Sequence, residues 1–446
     1  MGTSTINTKG TSMNTSLRIK LLTALAPIAT AFLVSPSLAQ TSSCGSLIPT
    51  ANFGLSLGIS GSCAGFLGTT TAQEFFDRLS TTGIQSFSTV SYTGTQQATI
   101  YGRFNSLGMT LSFPNAVGST AGSPNTLILD IPGLGINQTF TGSSRDASKL
   151  LLEDYIKKQG NILGRMLQYQ AANAPSSPIS GPGGLIPGVV ASDFNSNFTD
   201  SATNIAAPAN QAVAAVSGGT TPNLIGMALQ YSAVDVLDSK IKVTTLPLSY
   251  TIRNDIDPRR QLTFSLPITQ MDTNGAKSYR GGLGISYRVP LSDNWTLTPA
   301  GRYSIVGSVD MASVSSLYTA SLTSTYIWNL DGFDVAMGNM LSYNKTGQFS
   351  AGDYSIDPGI TNTVMRNGLM LSQPVVWDGT KLSLEYSLID TRYTGSEIYV
   401  SNTQEIGFTI GTNKNAFSAR SYLRGGVSLI RGKDTKGFVA NIGYWF

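Results

Sequence analysis

From Leu224 onward this chain alternates apolar and polar residues with few breaks, most strictly over its last nine residues, Phe438 to Phe446. Phe438, Ala440, Ile442, Tyr444 and Phe446 fall on one face of a strand. Such a period turns one face of every strand toward apolar surroundings and the other toward polar ones. Tyr279, Gly281, Leu283, Ile285, Tyr287 and Val289 share a face, against Arg280, Gly282, Gly284, Ser286 and Arg288. Trp295 to Ile305 repeats the pattern, as do Phe333 to Leu341, Leu382 to Leu388, and Ile406, Phe408 and Ile410. Strands are expected near 224–234, 242–253, 260–271, 277–290, 294–306 and 314–328, then near 332–344, 363–377, 380–392, 400–412, 417–430 and 436–446. Lengths of about 9–15 residues suffice to cross a bilayer at a tilt.

The connections give a second reading of the same segment. Short turns are expected at Leu291-Ser292-Asp293, Asn329-Leu330-Asp331, Asp378-Gly379 and Asn413-Lys414-Asn415. Longer ones, 307–313, 345–362 and 393–399, come between them, a periplasmic-turn and extracellular-loop alternation. Trp295, Trp328 and Trp377 flank the short turns and Trp445 lies in the final strand, so the four predict an aromatic girdle at one interface. A soluble sandwich would explain neither that level nor the polar face in every strand. The expected fold is mainly β: a 12-stranded antiparallel transmembrane β-barrel over 222–446, a smaller β-rich N-terminal domain, and one or two helices.

Lys9, Arg18 and Lys20 precede an apolar run from Leu21 to Val34, and Ser37-Leu38-Ala39 supplies the small residues of an export cleavage site. Residues 1–39 are therefore expected to be a signal peptide. Those cations supply three units of the formal charge of +4, which leaves about +1 and no argument for a nucleic-acid partner. Only 12% of residues are charged and 47 are glycine, as suits strands facing lipid on one side and a polar lumen on the other. An exported Cys44 and Cys63 are expected to form one disulfide.

Residues 40–173 are expected to form the β-rich domain, with strands at Ala98–Phe104, Met109–Phe113 and Leu127–Ile131. Thr71-x-x-Glu74 reads as a capping box before Phe75 and Phe76, and a longer helix is expected over 145–172. Residues 174–221 read as a linker, Pro/Gly-rich from Ala174 to Gly184, that ends in an Ala-rich pore-proximal helix near Ala209–Val216.

Tyr444 and Phe446 resemble the C-terminal assembly signal of bacterial outer-membrane proteins, although Asn441 stands where that signal has a glycine. An exported domain, a linker, a short helix and a terminal barrel together resemble the autotransporters. The resemblance covers about 225 residues and is architectural. It implies a bacterial outer-membrane location, lipid and the barrel-assembly machinery as partners, and a small passenger at the cell surface, with a role such as adhesion toward an unnamed surface ligand or receptor. The small passenger lacks the β-solenoid rungs usual in that family. The alternative is a channel barrel whose N-terminal domain is periplasmic or plugs the lumen.

Chemistry is constrained by absence. The chain has no histidine, so histidine-based triads and metal sites are excluded. No spacing marks a catalytic residue, a metal site or a cofactor, and an enzyme is not expected. By strand parity Arg280, Arg288, Arg302, Arg420, Arg424, Glu385 and Glu405 face the lumen, with Glu405 opposite Arg424 as a cross-strand ion pair.

Overall fold

The computed structural model describes residues 44–46, 48–49, 51–158, 161–199, 223–257, 259–351, 354–412 and 422–445. The expected signal peptide, the helix expected near 209–216, Arg420 and Phe446 lie outside them. The chain forms an antiparallel sheet lobe followed by a closed barrel.

The lobe contains β1 (Phe53–Ile59), β2 (Ser62–Thr69), β3 (Ala98–Phe104), β4 (Leu107–Phe113), β5 (Thr126–Ile131) and β6 (Ile136–Thr141). They pair in the order β2-β1-β3-β4-β5-β6. Alternation along β1 sends Phe53, Leu55, Leu57 and Ile59 to one face, where Ile100, Phe104 and Leu111 join them. Helices Ala72–Asp77, Thr81–Phe87, Arg145–Lys158 and Ile162–Asn173 supply Phe75, Ile84, Leu152 and Met166 to this core. The Phe53 and Phe104 rings lie 4.7 Å apart and Phe75 meets Phe104 edge-on at 5.5 Å, a favoured aromatic geometry. Thr71 caps the first helix by accepting from the Glu74 amide. The single helix expected over 145–172 is instead two. Asn161, at φ 55°, is left-handed where the second begins, a conformation no continuous α-helix accommodates.

Cys44 is bonded to Cys63 at a sequence separation of 19, which ties the start of the lobe to its edge strand. The loop-entropy argument assigns such a bridge roughly 3 kcal/mol. Cys63→Ser should therefore unfold the lobe at lower urea while leaving the barrel folded, as read by limited proteolysis beside heat-modifiable migration. Unchanged resistance of the lobe would reject that stabilising role.

Residues beyond 222 form the barrel. Its first strands are β7 (Leu224–Val236), β8 (Ser239–Arg253), β9 (Gln261–Thr273), β10 (Ala276–Pro290), β11 (Trp295–Ser308), β12 (Ser313–Leu330) and β13 (Phe333–Gly347). A small hairpin, β14 (Phe349–Ala351) and β15 (Tyr354–Ile356), stands apart. The wall continues with β16 (Thr361–Trp377), β17 (Thr380–Gly395), β18 (Asn402–Thr412), β19 (Tyr422–Gly432) and β20 (Thr435–Trp445). Each strand pairs antiparallel with its neighbour, and β20 closes on β7, so the twelve-stranded wall has no free edge. Asn274-Gly275 and Asp378-Gly379 have both residues at positive φ, as tight hairpins require.

Turn lengths do not sort as expected. The long connection 348–360 shares its end of the barrel with two-residue turns at Leu237-Asp238, Asn274-Gly275 and Lys433-Asp434. The reason lies next to them: the lobe rests on this rim. Asn52 donates to the Thr273 carbonyl at 2.9 Å, and the Ala72 amide to the Asp310 carbonyl at 2.7 Å. Asn161 and Asp357 exchange two hydrogen bonds of 2.7 and 2.8 Å. The Tyr399 amide donates to Ala171, while its hydroxyl donates to Asp434. Burial first, then the Asp434 carboxylate, push this phenol up to about 12, so it keeps its proton at neutral pH.

Candidate functional site

Inside the barrel lies the chain's own segment. Residues expected to be a solvated linker are buried: Ala174, Ile179 and Ser180 are each 0% exposed. They lead into helix Leu185–Phe194 and a π-type turn, Asn195–Thr199. Pro187 is tolerated because it stands in the first turn, where its missing N–H has no helical partner to lose. The lumen segment 185–199 passes from the rim that carries the lobe toward the rim where β7 begins and β20 ends.

Four inward arginines mark that path. Arg280 donates to the carbonyls of Gly183 (3.1 Å) and Gly184 (2.7 Å), just before the helix. Midway, Arg302 pairs with Asp193 on the helix at 2.5 Å and also donates to Ser265. Gly284 makes room for it, since a Cβ there would come within 2.8 Å of the Arg302 guanidinium carbon. Near the far rim Arg424 donates to the Thr199 carbonyl and pairs with Glu385. Arg366, missed in the sequence, binds Glu405 through two contacts of 2.8 and 3.1 Å and lies 5.2 Å over the Phe194 ring.

The expected Glu405–Arg424 pair is thus corrected. Glu405 stands opposite Ile430, and Arg424 opposite Gly411, because β18 runs Asn402–Thr412 and β19 Tyr422–Gly432, a pairing centred farther along the chain than a turn at 413–415 would give. Arg288 is buried on the inner face of β10.

The apolar grip complements the ionic one. Gly338 on β13 and Gly368 on β16 are register partners, which leaves a patch of wall without side chains. Phe194 and Phe198, one helical turn apart, fill that dent with their rings 5.0 Å from each other. A Cβ at Gly368 would come within 2.9 Å of Phe194, and one at Gly338 would overlap Phe198. Glycine inside a strand commonly marks such a close approach, and that was the available signal.

The segment leans on the β10–β16 side. Opposite it a cavity of about 250 Å³ remains, lined by Gln230, Ser232, Thr245, Ser428 and Asn441. Inner-wall hydroxyls find partners on the wall itself: Thr245 and Thr269 bond each other at 3.0 Å, and Thr319 donates to the Asn344 side-chain carbonyl at 2.9 Å. Among the described residues no cluster of His, Cys, Asp and Glu could hold a metal ion.

The outer wall is the reverse. Leu283 and Leu429 are 68% exposed, Ile406 61%, and the same faces carry Tyr231, Phe264, Leu341, Leu369 and Tyr386. An apolar belt around a closed, polar-cored barrel needs lipid as its solvent. The described strands therefore form a transmembrane β-barrel. Among the described residues no helix is long and apolar enough to cross a membrane; the barrel crosses with strands. Trp295, Trp328 and Trp377 are exposed at the rim away from the lobe, and the backbone pairing of Trp445 with Gly226 puts it at that same end. Tyr444, one residue before it, is also exposed.

No protein-family model matches the sequence, and no curated protein does. Among solved structures, the barrel is similar to the β domain of the Bordetella autotransporter Brka, at 14% identity and TM-score 0.41, over 50% of this chain and 98% of that one. It is similar to the translocator domain of autotransporter NalP from Neisseria meningitidis, at 12% identity and TM-score 0.37, over 53% and 92%. An outer-membrane channel from Pseudomonas putida F1 matches at 12% identity and TM-score 0.36, over 51% and 96%.

Proposed function

We propose that this barrel is a non-enzymatic display device, which carries the lobe within 40–173 on the outer side of the membrane for contact with a surface ligand. One observation carries the reading. The lumen segment leads from the lobe at one rim to the rim where β7 starts, so lobe and barrel termini are at opposite ends. A barrel whose termini face the periplasm would then hold its lobe outside. The longest connection, 348–360, sits at the lobe rim, as extracellular loops do in such barrels. Insertion would use the barrel-assembly machinery.

Labelling from outside tests the orientation. Both cysteines are bridged, so an introduced cysteine is the reactive one. Ser119 lies in an exposed lobe loop and Asp378 in a turn at the opposite rim. Ser119→Cys should react with a membrane-impermeant maleimide on intact cells, and Asp378→Cys only after the outer membrane is opened. The reverse pattern would place the lobe in the periplasm. A steady planar-bilayer current through the unaltered protein would favour the second reading, a channel, for which the residual cavity beside the lumen segment speaks.

A further inference from the structure

The two rims of the barrel differ on their lipid-facing side. At the rim away from the lobe, outward strand positions hold Trp295, Trp328, Trp377, Tyr250, Tyr287 and Tyr444. Among the described residues, no lysine or arginine occupies an outward strand position there. The lobe rim carries cations instead. On the adjacent strands β19, β20, β7, β8, β9 and β10, the outward positions nearest that rim include Arg431, Lys436, Lys240, Lys242 and Lys277. All five are exposed, and their strand neighbours Thr435, Ile241, Val243 and Ala276 are buried on the inner side.

Arg431 and Lys436 are register partners, like charges held directly opposite. Such a pairing is unfavourable unless an anion stands between them. Asp235 faces outward beside Lys436 and Lys240, and Asp272 beside Lys242 and Lys277. One Asp272 oxygen already accepts the Gly275 amide. Cations therefore outnumber carboxylates on this arc. Two residues farther along the same faces are apolar, Leu429 below Arg431 and Phe438 below Lys436. The cations thus sit where hydrocarbon gives way to headgroups, and long basic side chains reach from one zone into the other.

We propose that this arc is a binding site for a phosphate-bearing lipid headgroup of the lobe-side leaflet, with Arg431, Lys436 and Lys240 as its anion-binding core. Their donors match phosphate oxygens, and the apolar belt beneath seats the acyl chains. The assignment of that leaflet to the outer surface rests on the orientation proposed above; the site itself does not.

The probe is diphosphoryl lipid A added to the purified full-length protein in neutral detergent, with retention read by native mass spectrometry. The unaltered protein should hold the lipid. The Lys240→Gln/Arg431→Gln/Lys436→Gln variant should lose about tenfold or more in apparent affinity while keeping its heat-modifiable migration. Dephosphorylated lipid A should bind the unaltered protein no better than the variant binds the diphosphoryl form. Equal retention by the variant, or of the phosphate-free lipid, overturns the site. Displacement by millimolar inorganic phosphate would make it a free-anion site and overturn the lipid assignment. In detergent neither side is outside, so failure here leaves the labelling result standing, and the converse holds.

Discussion

Asp193→Ala should free the lumen segment while leaving the barrel closed. Arg302 and Asp193 are 3% and 5% exposed, and the carboxylate is the counter-charge that the helix brings to that guanidinium. Removing one partner of a buried pair typically costs about 3–5 kcal/mol, because the remaining charge is left without compensation. At about 1.4 kcal/mol per tenfold, that predicts amide hydrogen exchange over residues 188–198 faster by about 100-fold or more. The wall amides of β11 and β12 should keep their protection. Asp193→Ala/Arg302→Met should recover part of the loss, because the orphaned charge is then gone. Unchanged exchange in the single variant would mean that apolar packing alone retains the segment.

Gly338→Leu attacks the same segment from the wall. The dent opposite Phe198 exists only because Gly338 and its partner Gly368 lack side chains. A leucine would take the space of the Phe198 ring, and the wall cannot retreat while β12 and β16 hold both sides of β13. Phe194 and Phe198, at 0% and 1% exposure, would lose burial worth about 3 kcal/mol or more. Planar-bilayer recordings should then show a current well above that of the unaltered protein, and protease should cut within 185–199 in detergent. Closed recordings and a resistant segment would refute the plug geometry. Gly301→Leu faces lipid on β11, where an added Cβ meets nothing closer than the Thr319 carbonyl at 4.0 Å, and serves as the harmless control.

The wall was legible because each strand separates two solvents, and a period of two has no other economical explanation over so many segments. All twelve strands were expected, with ends displaced by a few residues where rim turns are tighter or looser than composition implies. The Glu405 register failed for that reason: nothing in Asn413-Lys414-Asn415 fixes the register in which β19 pairs with β18. The lumen segment was missed for a different one. Proline and glycine in Ala174–Gly184 report on backbone freedom, not on location, and a stretch folded inside a barrel can have the composition of a linker. Leu185, Ile186, Val189, Val190, Phe194 and Phe198 did carry a helical spacing, but ten residues starting Leu-Ile-Pro-Gly make a weak helix in isolation. Arg366 was passed over although it shares the inward parity of Val364 and Gly368.

A ring threaded by its own chain is a mechanical bond. Twelve strands about 4.8 Å apart and tilted by about 40° enclose a backbone diameter of about 24 Å, narrowed further by inward side chains. The lobe's six strands alone span about 24 Å from one edge backbone to the other, before side chains and helices are added. The folded lobe is therefore a stopper that the ring cannot pass, and covalent continuity into β7 is the stopper at the other end. Loosening the Arg302 and Phe198 contacts can unseat the thread but cannot withdraw it. Withdrawal needs either the lobe unfolded or the β7–β20 seam opened, so one of those two must also have been the last event in assembly.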